Sequence, residues 1–202
     1  RVGAAHQPGG LPGAVELQGR PVRVPPAGRR AREHRRAILA GLAEDPCLPM
    51  YFNFALSANE RGRTVAKQLS KHIDLKGKRH LDVGCAYGGF LVAFSEYGAQ
   101  SSGFDLDPTL LALAASNFKD AGFIPATYLK DVTDSATLLD FQGAFDVITC
   151  NDVIEHVSDP ALAFNNMAAM LADGGVAFFD IPNRDALPFV MEDGHYQLFG
   201  IT

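Results

Sequence analysis

His80-Leu81-Asp82-Val83-Gly84-Cys85-Ala86-Tyr87-Gly88-Gly89-Phe90-Leu91-Val92-Ala93-Phe94 is the run from which the rest of this chain is read. Residues 80–83 have the length and composition of a short buried strand, and the glycines after them form a turn into a helix entered at Gly88-Gly89. Phe90, Leu91, Phe94 and Tyr97 recur at the spacing of one helix face, which predicts that this face is buried. A strand, a glycine turn and a helix N-terminus in succession suit a nucleotide-like ligand for two physical reasons. Gly84 and Gly88 lack a Cβ, so ligand atoms can approach the main chain. The N–H groups of a first helical turn have no intrahelical acceptor and can point at the ligand.

The chain downstream repeats the pattern. Residues 101–105 read as a second strand, and Asp107-Pro108 starts a helix with Asp as N-cap and Pro at the first helical position. Leu110, Leu111, Leu113, Ala114 and Phe118 supply its packing stripe. Residues 126–130 form a weaker third strand ending at Asp131, and residues 145–150 a β-branched fourth. Asp159-Pro160 opens another helix that runs to about Leu171, and Asp173-Gly174-Gly175 turns into a fifth strand over residues 176–181, closed by Pro182. Alternating strands and helices with short links and apolar strands predict an α/β fold. It is a Rossmann-like, doubly wound, mostly parallel sheet with helices on both faces. In such sheets the ligand lies beyond the carboxyl ends of the strands, which puts Gly84, Asp105, Asp131 and Asn151 along one rim.

Upstream, residues 1–30 are rich in Gly, Pro, Ala and Arg without any sustained period, and are expected to be a disordered basic extension. Residues 31–202 form the expected domain: leading helices over 31–74, a binding core over 78–182 and an acceptor region over 183–202. A short helix is expected at 31–44, with Asp45-Pro46 and Leu48-Pro49 as breaks. Tyr51, Phe52 and Phe54 then precede a second helix over about 57–73, with Val65, Leu69 and Ile73 on its packing side. Eight arginines against two glutamates give residues 1–36 a charge of +6, while the remainder carries −11. The acidic domain argues against a nucleic-acid-binding face. Three dispersed cysteines fit neither a zinc site nor a disulfide scaffold, which points to a reducing, cytoplasmic setting without a bound metal. No apolar run approaches 18 residues, so no membrane-spanning helix is expected.

Asp105 follows Gly84 by 21 residues, at the end of the adjacent strand, where a carboxylate can accept two hydrogen bonds from a ribose diol. Asp131 is placed to accept from an exocyclic amine, with Val132 and Leu106 against the faces of an aromatic base. Over roughly residues 50–202 the chain resembles the class I S-adenosylmethionine-dependent methyltransferases of the small-molecule branch. The likeness lies in residues 81–88 (Leu-Asp-Val-Gly-Cys-Ala-Tyr-Gly), 103–108 (Gly-Phe-Asp-Leu-Asp-Pro), 151–160 (Asn-Asp-Val-Ile-Glu-His-Val-Ser-Asp-Pro) and 171–175 (Leu-Ala-Asp-Gly-Gly).

The resemblance implies S-adenosylmethionine as cofactor and methyl transfer to a small-molecule acceptor, at oxygen before nitrogen or carbon. It implies that Gly84, Cys85, Ala86 and Gly88 line the methionine moiety and ribose, with Asp82 orienting the methionine amino group. Asp105 and Leu106 would serve the ribose and base, Asp131 and Val132 the adenine, and Asn151 and Asp152 the methionine end. His156 is the candidate base for the acceptor proton, with Glu155 and His195 as further candidates.

Two departures from the family pattern stand out. Ala86 occupies a position usually held by glycine. Only about twenty residues follow the fifth strand, where the family adds two more strands, so the sheet is expected to be truncated there. Two rival readings remain at this point. A nicotinamide-dependent oxidoreductase would use the same glycine turn and Asp105, but Asp82 inside the strand and the Asn151–His156 run speak against it. A catalytically silent domain would keep the fold and lack the acceptor pocket.

Overall fold

The quoted strand, β1 (Arg79–Val83), is the middle of a five-stranded parallel sheet in the computed structural model, which describes residues 48–181, with side chains from residue 57 onward. α1 (Leu48–Leu69) precedes it. After it come α2 (Gly89–Glu96), β2 (Gln100–Asp105), α3 (Pro108–Asp120), β3 (Thr127–Leu129), α4 (Ser135–Phe141) and β4 (Phe145–Asn151). A 3-10 turn (Ile154–His156), α5 (Pro160–Met170) and β5 (Leu171–Asp180) complete the order. The strands lie β3-β2-β1-β4-β5, so the chain steps outward to β3 and then crosses back to the other side of β1. The carboxyl ends of β1 and β4 therefore form the switch point at which ligands of such sheets bind.

Helices cover both faces, and the strands differ between them. Leu81, Val83, Phe104, Ile148 and Cys150 pack with Phe141 of α4 and with Ala163, Met167 and Met170 of α5 in the larger apolar core. On the opposite face Ala66 of α1 and Ala93 and Phe94 of α2 pack with Val147, while Leu91 and Val92 meet Ala114 and Phe118 of α3. This second face also buries His80, Asp82, Ser101 and Thr149. The strands are therefore not apolar throughout, as the sequence suggested. One face is mainly apolar, its Ser102 donating to the carbonyl of His80, and the other carries polar groups that remain buried because they bond to one another.

Several element boundaries correct the sequence reading. Leu48-Pro49 opens α1 rather than breaking a helix, so Tyr51, Phe52 and Phe54 lie within it. Proline is harmless in a first turn, where its missing N–H has no acceptor to lose. The Phe90–Tyr97 stripe is only partly the buried face. Leu91 to Ser95 are all buried because α2 lies among α1, α3 and the sheet, whereas Tyr97 is 38% exposed. Helix α4 was not foreseen; Asp134 caps it by accepting from the N–H of Ala136, and seven residues are too few to show a helical period. Asp173-Gly174-Gly175 lies inside β5 as a bulge, since β4 advances two residues between paired positions where β5 advances five.

α1 and α2 approach closely through glycine. A Cβ on Gly89 would lie 2.2 Å from the main chain of Ala58, and one on Gly62 would lie 2.5 Å from the carbonyl oxygen of Gly89. Among the described residues no helix is long and apolar enough to cross a membrane. The expected basic extension, the helix at 31–44, the acceptor region and His195 lie outside the described residues.

Candidate functional site

The glycine turn is tied to the end of β2. Cys85 donates its N–H to the carbonyl of Phe104 at 3.0 Å, and Gly88 closes the turn on the carbonyl of Cys85 at 2.7 Å. Ala86 donates its N–H to Oδ2 of Asp105 at 2.9 Å, and Oδ1 of the same carboxylate accepts from the N–H of Asp107 at 3.1 Å. Gly84, Ala86 and Gly88 all have positive φ, at 68°, 41° and 71°. For the alanine this conformation costs about 1–2 kcal/mol, and its hydrogen bond to Asp105 offsets part of that cost.

The glycines serve the protein differently from the expectation of ligand access through their missing side chains. A Cβ on Gly84 would lie 2.3 Å from Cγ2 of Val153, and one on Gly88 would lie 3.0–3.1 Å from Ala114. Their open sides are filled by the segment after β4 and by α3. Any close approach to a ligand must come from the main-chain N–H side of the turn and from the α2 N-terminus, where no side chain caps the helix.

Asp82 is 2% exposed, and its Oδ1 accepts from the hydroxyl of Thr149 at 2.7 Å. Burial pushes this carboxyl up to about 7; the Thr149 hydrogen bond opposes the rise, Asp105 adds to it and Arg61 opposes it. His80 is fully buried and stacks on Phe94 with ring centroids 3.9 Å apart. Its burial lowers the imidazole to about 3, so the ring is neutral.

At the end of β4, both side-chain polar atoms of Asn151 are buried without a hydrogen-bond partner. Asp152 follows with φ 52° and forms an ion pair with Arg61 of α1. Its N–H donates to the carbonyl of Asp180, which links the β4 and β5 ends. Arg61, Thr149 and His80 were missed as contributors. Nothing in the sequence around Arg61 announces a partner 91 residues away.

The remaining residues divide by position. Leu106 stands at the rim, 66% exposed. Oδ1 of Asp131 already accepts from the N–H and hydroxyl of Thr133, at 2.8 and 2.7 Å, which stabilises the loop after β3. Val132 is buried in the larger core, with its carbonyl held by Asn166. Cys85 and Cys150 are buried thiols whose ionisation burial opposes. His156 is on the 3-10 turn after β4, exposed, with Nε2 3.9 Å from Oε1 of Glu155. Among the described residues no group of three or more His, Cys, Asp or Glu is arranged to hold a metal ion.

The sequence pattern of the family described as "Methyltransferase domain" matches residues 57–199, from α1 through all five strands and beyond. The chain belongs to this methyltransferase family. Relatives include a ubiquinone biosynthesis O-methyltransferase of Stutzerimonas stutzeri, 33% identical over 64% of this chain and 56% of the relative. Another, of Paracidovorax citrulli, is 35% identical over 58% of this chain and 49% of the relative. The methyltransferase chain thus spans about half the length of the curated relatives it matches.

Among solved structures, a candidate S-adenosyl-L-methionine-dependent methyltransferase of Methanococcus maripaludis superposes with a TM-score of 0.57 at 16% identity, over 64% of this chain and 59% of its own. A protein of Pyrococcus horikoshii also gives 0.57, at 22% identity over 66% and 62%. At these identities the likeness shows the fold.

S-adenosylmethionine is the methyl donor of this family, and the methyltransferase site fits it chemically. The rim presents the carboxylate of Asp105 and that of Asp152, the latter paired with Arg61, with Asp82 beneath; acidic groups outnumber this cation, which suits a ligand carrying sulfonium and ammonium charge. The buried amide of Asn151 has both donor and acceptor capacity left over for such a ligand.

Proposed function

We propose that this methyltransferase transfers a methyl group from S-adenosylmethionine to an oxygen of a small-molecule acceptor. The observation that carries the reading is the Asp105 carboxylate, hydrogen-bonded to the Ala86 turn at the end of the strand beside β1. This joins the glycine turn and the ribose acid into one unit. When bound, the donor supplies a methyl group already activated on a sulfonium sulfur, so the protein's task is alignment and charge management.

Gly84, Ala86 and Gly88 offer main-chain groups to the methionine and ribose portions, and Asp105 accepts from the ribose hydroxyls. Leu106, Asp131 and Val132 border the adenine, with Val132 acting through its main chain and the edge of its side chain. Asp82, Asn151 and Asp152 border the methionine end. His156, exposed beside the β4 end, takes the acceptor's proton. The oxygen acceptor follows the reaction named for the ubiquinone-biosynthesis relatives. The buried free thiols are consistent with a reducing, cytoplasmic setting.

Calorimetric titration with S-adenosylmethionine, NAD and NADP tests the reading. S-adenosylmethionine should bind and the nicotinamide nucleotides should not; binding of NAD alone would overturn it. A His156→Asn variant should keep donor affinity and lose methyl transfer at neutral pH.

A further inference from the structure

Beneath the glycine turn, on the sheet face covered by α2, four polar side chains from three adjacent strands join in one chain of hydrogen bonds. Oγ of Ser101 is 3.1 Å from Nδ1 of His80, Nε2 of His80 is 2.9 Å from Oγ1 of Thr149, and Thr149 reaches Oδ1 of Asp82 at 2.7 Å. The four residues are between 0% and 6% exposed. The imidazole is stacked on Phe94 with an interplanar angle of 12°, which holds the plane in which its two nitrogens bond. Asp82 is the member nearest the glycine turn in sequence, two residues before Gly84.

Each hydroxyl has one hydrogen and the neutral imidazole has one, so the donor directions along the chain are linked. With Asp82 ionised, Thr149 donates to it, Nε2–H of His80 donates to Thr149, and Ser101 donates to Nδ1. With a proton on Asp82, the directions reverse: Asp82 donates to Thr149, Thr149 donates to Nε2, and Nδ1–H donates to Ser101. The two arrangements differ by one proton, taken from solvent and held on Asp82, and by the ring nitrogen that carries the imidazole hydrogen. A mixed arrangement sets two hydrogens or two lone pairs against each other at one of the three contacts.

We propose that Ser101, His80 and Thr149 are positioning residues for Asp82. They fix its carboxylate toward the methionine end of the donor, and the His80 tautomer follows the charge on Asp82. This rests on the placement of Asp82 at the methionine end argued above. The ionisable groups that act on Asp82 from its neighbours are Asp105 on β2, which raises it, and Arg61 on α1, which lowers it; it in turn raises the thiols of Cys85 in the turn and Cys150 on β4. His80 stays neutral down to about pH 3, which leaves tautomerism as its only response across the working range.

Nitrogen-15 NMR of the imidazole in the full chain reads the tautomer directly. In the protein without added donor, the ring should change from Nδ1–H to Nε2–H as pH rises through neutrality. Added S-adenosylmethionine, a cation, should shift that change to lower pH. Thr149→Val should uncouple the tautomer from pH and weaken S-adenosylmethionine binding at least tenfold, and Thr149→Ser should restore both. One tautomer throughout pH 5.5–8.5 with and without S-adenosylmethionine would overturn the relay, as would undiminished affinity in Thr149→Val. Asp82→Asn separates the two readings. If it binds S-adenosylmethionine like the wild type, the placement of Asp82 fails; if it binds weakly while Thr149→Val binds normally, the relay alone fails.

Discussion

The N–H of Ala86 and Oδ2 of Asp105 lie 2.9 Å apart, joining the one non-glycine residue with positive φ in the turn after β1 to the acid that ends β2. Both oxygens of that acid are engaged by main-chain donors, so Asp105 has a structural duty as well as its proposed ribose contact. An Asp105→Asn side chain would turn an amide N–H toward one of those donors. We expect a stability loss of about 1–3 kcal/mol together with at least tenfold weaker S-adenosylmethionine binding. Denaturant melts and calorimetry separate the two effects. Unchanged affinity in a folded variant would show that the ribose is bound elsewhere.

The contact between α1 and α2 gives a second expectation. Gly89→Ala must displace either the α2 N-terminus or the main chain of Ala58, since the new Cβ would lie 2.2 Å from it. Overpacking against backbone costs about 1–3 kcal/mol or more. Gly143 is the control: its φ is +63° but nothing lies within 4 Å of an added Cβ. Gly143→Ala should lose only about 1–2 kcal/mol from the left-handed backbone. Urea unfolding of both variants should rank Gly89→Ala as the less stable; the opposite order would mean that α1 sits farther from α2 than described.

The fold was legible because its cues are local. Asp107-Pro108 and Asp159-Pro160 mark helix starts by capping chemistry, and both Asp side chains do accept first-turn N–H groups. The four strand-end residues were legible for the same reason, since strand ends follow from strand assignments. What pairs across strands was not legible. His80 and Thr149 are 69 positions apart, and a polar residue in a strand gives no sign of whether it faces water or another polar side chain. Gly88 misled in a related way, because its missing side chain makes room for α3 at Ala114 as readily as for a ligand. The boundary of α1 was missed because proline stops a helix only when it falls beyond the first turn.

Asp152 combines two features that substitutions can pull apart. Its φ is 52°, and its carboxylate pairs with Arg61 at a site where both side chains are about one-third exposed. Such an exposed pair contributes only about 0–1 kcal/mol. Asp152→Gly loses the pair and relaxes the backbone, while Asp152→Ala loses the pair and retains the strained φ. The alanine variant should be less stable than the glycine variant by about 1 kcal/mol. Equal midpoints in a denaturant titration would show that the turn after β4 adopts another conformation in solution.

Asp82 and His80 push stability in opposite directions over overlapping pH ranges. The folded state holds Asp82 at about 7 against an ordinary value of 3.8. Between about pH 4 and 7 the folded state therefore keeps a proton that the unfolded chain has released, and stability falls as pH rises through that window. His80 is held at about 3 against 6.5, so between those values the unfolded chain binds the extra proton and stability rises with pH. In the wild type the two slopes oppose each other where the windows overlap, which hides both.

Asp82→Asn removes the first slope and leaves the second. The stability of the variant relative to the wild type should climb between pH 4.5 and 7.5 and level off above, whatever constant offset the amide introduces. Urea denaturation at four pH values across that range measures it. A difference that does not vary with pH would mean that Asp82 ionises at its ordinary value, and that the buried chain from Ser101 to Asp82 points one way at every pH the protein meets.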